Sequence, residues 1–373
     1  MANSILITGG AGFIGANLAE RALGRGQRVR ILDNLSRSGA RENLRELERQ
    51  HGGSLEVIRG DVREPRDVRR ALAGTSAVIH CAAQVAVTTS LCEPLDDFEI
   101  NARGTLNLLE ELRQAPRPLV FTSTNKVYGD LSDIPLTRDG DRYLPADPAL
   151  RRGIDETRPL AFCSPYGCSK GAADQYVLDY ARTYGVPATV FRMSCIYGPR
   201  QFGTEDQGWV AHFLLSALSQ RPITIYGDGH QVRDLLFIGD LADAVFRALA
   251  CIDATAGRAF NIGGGPDRLA SPREILALIG ELTGRTPEVH YADWRSRDQR
   301  YYVSNSAAFQ QITGWQPRVE IRDGLAGLCS WLDPVVGQAG LCSAASASSH
   351  ASSHASRQPP MTAKFHQGSS FKS

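Results

Sequence analysis

The tightest constraint on this chain's fold lies near its start. Ser4-Ile5-Leu6-Ile7-Thr8 is a short apolar strand that runs straight into Gly9-Gly10-Ala11-Gly12-Phe13-Ile14-Gly15, and a helical pattern over Ala16–Leu23 follows. Glycines at 9, 12 and 15 let the turn tighten, the backbone approach a pyrophosphate and the helix pack close to the strand. The helix N-terminus then faces the anion, with Phe13 and Ile14 at its entry. A glycine triplet alone is weak evidence; between a strand and a helix it marks a dinucleotide site. The next strand, Val29-Arg30-Ile31-Leu32-Asp33, ends on a carboxylate about 20 residues after the turn, where a ribose 2′-hydroxyl is gripped. Asp33, followed by Asn34, repels a 2′-phosphate and favours NAD over NADP, and Arg37 is a cation that works against that preference.

The alternation continues through strands at Leu55–Ile58, Ala77–Cys81 and Leu119–Ser123, with helical patterns over Asp67–Ala73 and Asp97–Leu112 between them. Repeated βαβ units predict an α/β fold: a Rossmann-type doubly wound parallel sheet with its ligand beyond the strand carboxyl ends. Asp61 and Val62 follow the third strand and suit the adenine end of the cofactor. His80 opens a small-residue turn and reads as structural. The 373 residues are 42% hydrophobic and 22% charged, which is globular composition with length to spare for a second lobe. A net charge of +1 gives no footprint for nucleic acid or a membrane surface. No basic leader precedes the first strand and no apolar run is long enough to span a bilayer, so a cytoplasmic protein is expected. Eight cysteines without a CxxC pair or a histidine cluster read as thiols in a reducing compartment, with no metal site.

The fifth strand delivers Thr124 to its carboxyl end, where a sheet of this type presents chemistry. Ser164-Pro165-Tyr166-Gly167-Cys168-Ser169-Lys170 then opens a helical stretch, and at i and i+4 the Tyr166 phenol and the Lys170 ammonium share a face. A cation beside a phenol pulls its pKa down from about 10 and makes a general base. A lone pair of this kind is usually a solvated one; above a dinucleotide site, with Thr124, it becomes a candidate catalytic set.

These motifs, TGGAGFIG (8–15), the hydroxyl at 124 and YGCSK (166–170), resemble the extended short-chain dehydrogenase/reductase family. Longer stretches are similar to its CDP-sugar 2-epimerases of the paratose–tyvelose type: AAQVAVTTS (82–90), DFEINARGTLNLLE (97–110), TSTNKVYGD (122–130), SPYGCSKGAADQYVLDYAR (164–182) and DQGW (206–209). The resemblance runs from residue 4 to about Trp331. It implies NAD contacts by Ala82, Ala83, Gln84, Asn101, Tyr166 and Lys170, and substrate contacts by Thr88, Thr89, Asn125, Arg200, Gln201, Gln207 and Arg233. It also implies a nucleotide-sugar substrate and a homo-oligomer, dimer or tetramer. Tyr166 would take a sugar hydroxyl proton, Thr124 would hydrogen-bond the developing carbonyl, and hydride return to the other face would invert the carbon. A 4-epimerase uses the same three residues. A 4,6-dehydratase needs an acid and a base directly after the hydroxyl, where this chain has Asn125-Lys126, and a dinucleotide sensor would not need the Tyr–Lys pair. The chain departs from the family pattern at Ala161-Phe162-Cys163, at Met193 and Cys195, and at Pro199, which removes polar groups near the site.

Beyond a strand at Pro187–Arg192 that ends near Ile196, regularity gives way to an irregular segment at Phe202–Gly208 and a helix around Trp209–Ser219. Arg233, beside the turn Gly227-Asp228-Gly229, suits a pyrophosphate, against the plainer reading of a loop arginine paired with Asp234. Residues 1–196 with 234–264 are expected to form the NAD domain, and 197–233 with 265–333 a smaller nucleotide-sugar lobe. From 334 the composition turns to Ser, Ala, Gly and His and predicts a disordered tail to 373.

Overall fold

The structure, a computed structural model, describes residues 4–348. β1 (Ser4–Thr8) leads through the glycine turn to α1 (Phe13–Gly24), β2 (Val29–Asp33), α2 (Ala40–His51), β3 (Leu55–Arg59), α3 (Pro65–Leu72) and β4 (Thr75–His80). α4 (Val87–Cys92), α5 (Pro94–Phe98), a widened π turn at Glu99–Arg103 and α6 (Gly104–Gln114) carry the chain to β5 (Leu119–Thr124). Little in the residue pattern marks α2, because its buried stripe is only Ala40, Asn43, Leu44 and Leu47 among charged residues.

A hairpin of β6 (Leu136–Asp139) and β7 (Arg142–Pro145) precedes the long α7 (Ser164–Tyr184) and β8 (Ala188–Met193). The strand expected to run on to Ile196 breaks at Ser194, whose N–H still reaches Ile262 O (2.9 Å), and β9 (Cys195–Tyr197) pairs elsewhere. The rest comprises α8 (Trp209–Leu218), β10 (Ile223–Tyr226), β11 (Val232–Phe237), α9 (Ile238–Ala250), α10 (Ile252–Thr255), β12 (Arg258–Ile262), β13 (Leu269–Ala270), α11 (Pro272–Thr283), β14 (Val289–Ala292), β15 (Tyr301–Tyr302), α12 (Ala307–Thr313) and α13 (Ile321–Ser348). Where disorder is expected from 334, the chain continues as helix through Pro334 to Ser348; its alanines favour helix and Pro334 removes one backbone donor. Residues 349–373 of that expected tail lie outside the described residues. No helix among the described residues is long and apolar enough to cross a membrane.

Seven strands form one parallel sheet in the order β12-β8-β5-β4-β1-β2-β3. The chain winds outward from β1 to β3, then crosses back to β4 on the other side, so β1 and β4 flank the switch point where a ligand crevice opens. Alternate residues of β1 serve opposite faces: Ile5 and Ile7 pack with α1 and α9, and Leu6 with α3, α6 and α7. A separate core joins α8, α11 and α13 to β10 and β11. Trp315 and Trp331 both have packing roles. Trp331 lies against Phe202, and buried Trp315 donates from its indole to Asp240 O at 3.0 Å.

Phe309 on α12 closes the sheet's β12 end, with ring centroids 5.1 Å from Phe191, 5.3 Å from Phe260 and 5.7 Å from Trp315. Phe309→Ala should therefore lower unfolding free energy by about 3–5 kcal/mol in urea titration.

Candidate active site

The crevice between β1 and β4 is a cleft of about 320 Å³. Gly9, Gly12, Phe13, Ile14 and Gly15 form one wall, Ala82, Ala83 and Gln84 the facing one, and Asp33, Asn34, Asp61 and Val62 the far end. The glycines are required by space. Gly9 has φ +65°, and a Cβ there would meet the Ala82 backbone nitrogen at 2.7 Å; one on Gly15 would collide with the Gly9 carbonyl. The Asp33 carboxylate accepts from Ala11 N (3.0 Å) and Leu35 N (2.8 Å). Burial pushes its pKa up, against those backbone N–H groups. Burial acts the same way on Asp61, but Arg63 and Asn34 outweigh it and hold that carboxyl below its ordinary value. Arg37 turns to the Gln207 side-chain oxygen rather than Asp33. Gln201 Oε1 is buried without a protein partner at the cleft wall, an acceptor left for a ligand. The cradle and its acidic far end fit a dinucleotide with a free 2′-hydroxyl.

A second cavity, of about 390 Å³, lies between the sheet and the smaller lobe. Thr88, Asn125, Gln207 and Arg233, four of the expected substrate contacts, line it. Arg233 is neither in a loop nor paired with Asp234. It stands on β11 and bonds Asp298 Oδ1 at 2.9 Å, whereas Asp234 faces Ser194, Ser304 and Gly265 N. Lys126 Nζ reaches the same Asp298 oxygen at 2.9 Å. Burial would raise the Asp298 pKa, but the two cations drive it far below the usual carboxylate range. Thr88 Oγ1 and Gln231 Oε1 are buried without partners at the cavity wall, ready for ligand hydroxyls. Ser164 also lines the cavity, held at φ +69° directly before Pro165, a strained conformation for a residue with a side chain.

Three expected substrate residues lie elsewhere. Thr89 is exposed on the outside of α4. Arg200 lines the dinucleotide cleft, where it pairs with Glu20 at 2.8 Å and its carbonyl accepts from Asn43, and Gln201 lines the same cleft. Asn101, expected on the cofactor, is fully buried and spends its amide on Gln84, Asp97 and Ser169. Lys126, Gln231 and Asp298 also line the second cavity, and the sequence did not single them out as contacts. Lys126 sat inside a stretch already singled out, but nothing local announced its partner 172 residues away.

Thr124 ends β5, and Tyr166 and Lys170 stand on α7. Their chain neighbours Asn125, Lys126 and Ser164 line the second cavity, and Cys81, which faces Lys170, lines the first. Burial, opposed by a hydrogen bond with Thr124, pushes the Tyr166 phenol up to about 12. This differs from the expectation that Lys170 pulls it down. The ammonium points instead at the Thr122 carbonyl (2.7 Å) and sits 4.2 Å above the Phe121 ring. Burial lowers Lys170 itself to about 8. His80 holds Thr8 at 2.6 Å and Thr105 at 3.0 Å, and burial keeps it neutral, with a pKa of about 3. It is structural, as expected.

A family profile described as the NAD dependent epimerase/dehydratase family matches residues 5–263. The chain belongs to that family. It is 42% identical over 340 residues to CDP-paratose 2-epimerase of Salmonella typhi, covering 89% of this chain and 99% of that one. It is 31% identical over 332 residues to a putative UDP-glucose 4-epimerase of Methanocaldococcus jannaschii, covering 88% and 98%. Among solved structures, the UDP-glucose 4-epimerase of Thermus thermophilus in complex with NAD superposes with TM-score 0.73 at 34% identity, covering 88% of this chain and 98% of that one.

The glycine cradle yields a direct test. Gly15→Ala should leave the protein folded but strip it of copurifying NAD, measured by denaturing the purified protein and quantifying released nucleotide. Wild-type nucleotide recovered mainly as NADP would contradict the reading of Asp33.

Proposed function

We propose that the chain is an NAD-dependent nucleotide-sugar epimerase that inverts C2 of a CDP-sugar of the paratose–tyvelose type. The observation that carries the choice of substrate is the 42% identity to CDP-paratose 2-epimerase along nearly the whole of that relative. Residues 1–196 with 234–264 would hold NAD, and 197–233 with 265–333 the nucleotide sugar, with Arg233 and Lys126 facing its diphosphate. When bound, NAD supplies the hydride acceptor and donor, and its oxidised ring brings a positive charge that favours a phenolate nearby. Tyr166 takes the proton of the sugar hydroxyl at its phenol oxygen. Thr124 donates to that sugar oxygen as it becomes a carbonyl, and Lys170 keeps a positive charge beside the pair. Inversion requires the keto sugar to present its other face before it is reduced.

Elimination is disfavoured by the same geometry. The two residues after Thr124 are an amide, bonded to Gln299, and an ammonium tied to Asp298, so neither position supplies the acid or base that dehydration takes from there.

The protein should be incubated with CDP-, UDP-, dTDP- and GDP-sugars and the products read by NMR. The expected result is a C2 epimer of a CDP-sugar alone, with no deuterium at the inverted carbon in D₂O and full retention of a C2 label. Inversion at C4 would replace the 2-epimerase by a 4-epimerase; solvent deuterium at the inverted carbon would refute hydride return. Tyr166→Phe should lower kcat by on the order of 10²–10⁴-fold with NAD retained.

A further inference from the structure

Two buried charges flank the start of α7 without a salt-bridge partner among the described residues. One is the Lys170 ammonium. The other is the carboxylate of Asp97 on α5, fully buried and given no part in the chemistry above. Asp174, the other carboxylate near Lys170, is already bound at both oxygens by the Arg192 guanidinium (2.9 and 3.0 Å) and by Ser123 (2.8 Å). We propose that Asp97 is a positioning residue: it locks α7 to the Ala82–Gln84 wall of the cofactor cleft and serves as the counter-charge that keeps Lys170 protonated. The proposal rests on the assignment of Tyr166 and Lys170 to the epimerase reaction.

The lock is visible in the hydrogen bonds. One Asp97 oxygen accepts from Gln84 Nε2 (3.0 Å) and Asn101 Nδ2 (3.2 Å), and the other from Ser169 Oγ. Asn101 clasps the backbone of Gln84 from both sides, accepting from its N–H (2.9 Å) and donating to its carbonyl (3.0 Å). Ser169 lies between Tyr166 and Lys170 in the chain, so this one carboxylate ties the cleft wall to the helix that carries both. The carboxylate accepts from all three; an amide could keep the two N–H partners on its oxygen but would turn its nitrogen to Ser169, whose hydroxyl would then have to accept and donate instead to the Tyr166 carbonyl (3.2 Å).

The electrostatics follow from what else faces Lys170. From β4 come His80, which is neutral, and Cys81, whose thiol burial pushes up to about 12. From β5 come the Thr122 carbonyl and the Phe121 ring, and from α7 Tyr166 and the Arg192-bound Asp174. Asp174 raises the Lys170 pKa more than Asp97 does, but Arg192 already neutralises it, which leaves Asp97 as the carboxylate near Lys170 that no cation pairs. Its charge makes Lys170 and Tyr166 each hold their proton to higher pH, in the direction opposite to burial for Lys170. Removing it must move both ionisations to lower pH.

The chain has four lysines, Lys126, Lys170, Lys364 and Lys372, so ε-¹³C-lysine labelling gives few resonances to assign. The purified NAD-bound protein without substrate gives the reference midpoint for Lys170. In Asp97→Asn its midpoint should fall by about one pH unit, and the kcat–pH profile should move the same way. kcat at its optimum should drop roughly 10- to 100-fold. Ser169→Ala keeps the carboxylate but cuts the tie, so it should lose turnover severalfold with the Lys170 midpoint unmoved. A folded Asp97→Asn with unchanged midpoint and profile overturns the proposal. So does Ser169→Ala with full turnover, or with a displaced midpoint, and this arm decides the matter if Asp97→Asn does not fold. Because the titration needs no substrate, a wild-type protein inactive on every sugar nucleotide would count against the proposed function and leave the Asp97 test standing.

Discussion

An ammonium has to stay charged where burial favours its neutral form, and much of the structure answers to that one demand. Lys170 is 2% exposed, and desolvation brings it down to about 8. Its direct contacts come from the end of β5: the Thr122 carbonyl at 2.7 Å and the face of Phe121 at 4.2 Å. Both come from the strand that delivers Thr124, so the geometry that keeps the cation also fixes the hydroxyl relative to the helix. Between residues 4 and 348 lysine occurs only at 126 and 170, both at the site, and every other long cationic side chain is arginine. Arginine does not deprotonate in proteins, whereas an ammonium is tuned by its surroundings. Lys170, which shares α7 with Tyr166, is such a tuned point charge.

The second constraint is mechanical. The segment that enters the smaller lobe crosses the lip of the dinucleotide cleft and is fastened to it at several points. Phe202 packs over Gly39, where any Cβ would collide with the ring; the Arg200 carbonyl accepts from Asn43; Arg37 donates to Gln207. Gln207 lines both cavities. A reaction that removes a hydride and gives it back needs the cofactor to stay through the whole cycle. A cleft roofed by the substrate lobe's own chain meets that need more directly than one open to solvent.

Legibility in the sequence followed the range of the interactions. The glycine turn, the acid at the end of β2 and the i, i+4 pair on α7 are local patterns, and the structure forms the turn, the strand end and the helix that the patterns say. Failures came where a side chain's partner is distant. Asn101 is polar and follows a helical segment near the cleft, but its amide is consumed by Gln84, Asp97 and Ser169, which no local pattern encodes. Arg233 was weighed against its neighbour Asp234; strand alternation sends the two to opposite sides, and the true partner is Asp298. The phenol's ionisation was read from the nearby cation alone, and burial, which depends on the whole fold, proved the larger effect.

The second cavity is not a simple trap for anions. Lys126, Arg233, Arg295 and Arg297 line it, but so do Glu205, Asp206 and Asp298, so four cations face three carboxylates. Asp298 is held by both Lys126 and Arg233, and Arg295 by Asp206 at 3.3 Å. A doubly charged diphosphate therefore gains little from net potential and must compete with carboxylates already in place. That arrangement favours discrimination over raw affinity: only a ligand that satisfies the displaced cations, and also supplies partners for Thr88 and Gln231, recovers what entry costs. Free phosphate or a bare nucleotide meets part of that demand. A ligand that carries sugar hydroxyls as well as a diphosphate has groups for both the cations and the unpartnered Thr88 and Gln231 oxygens.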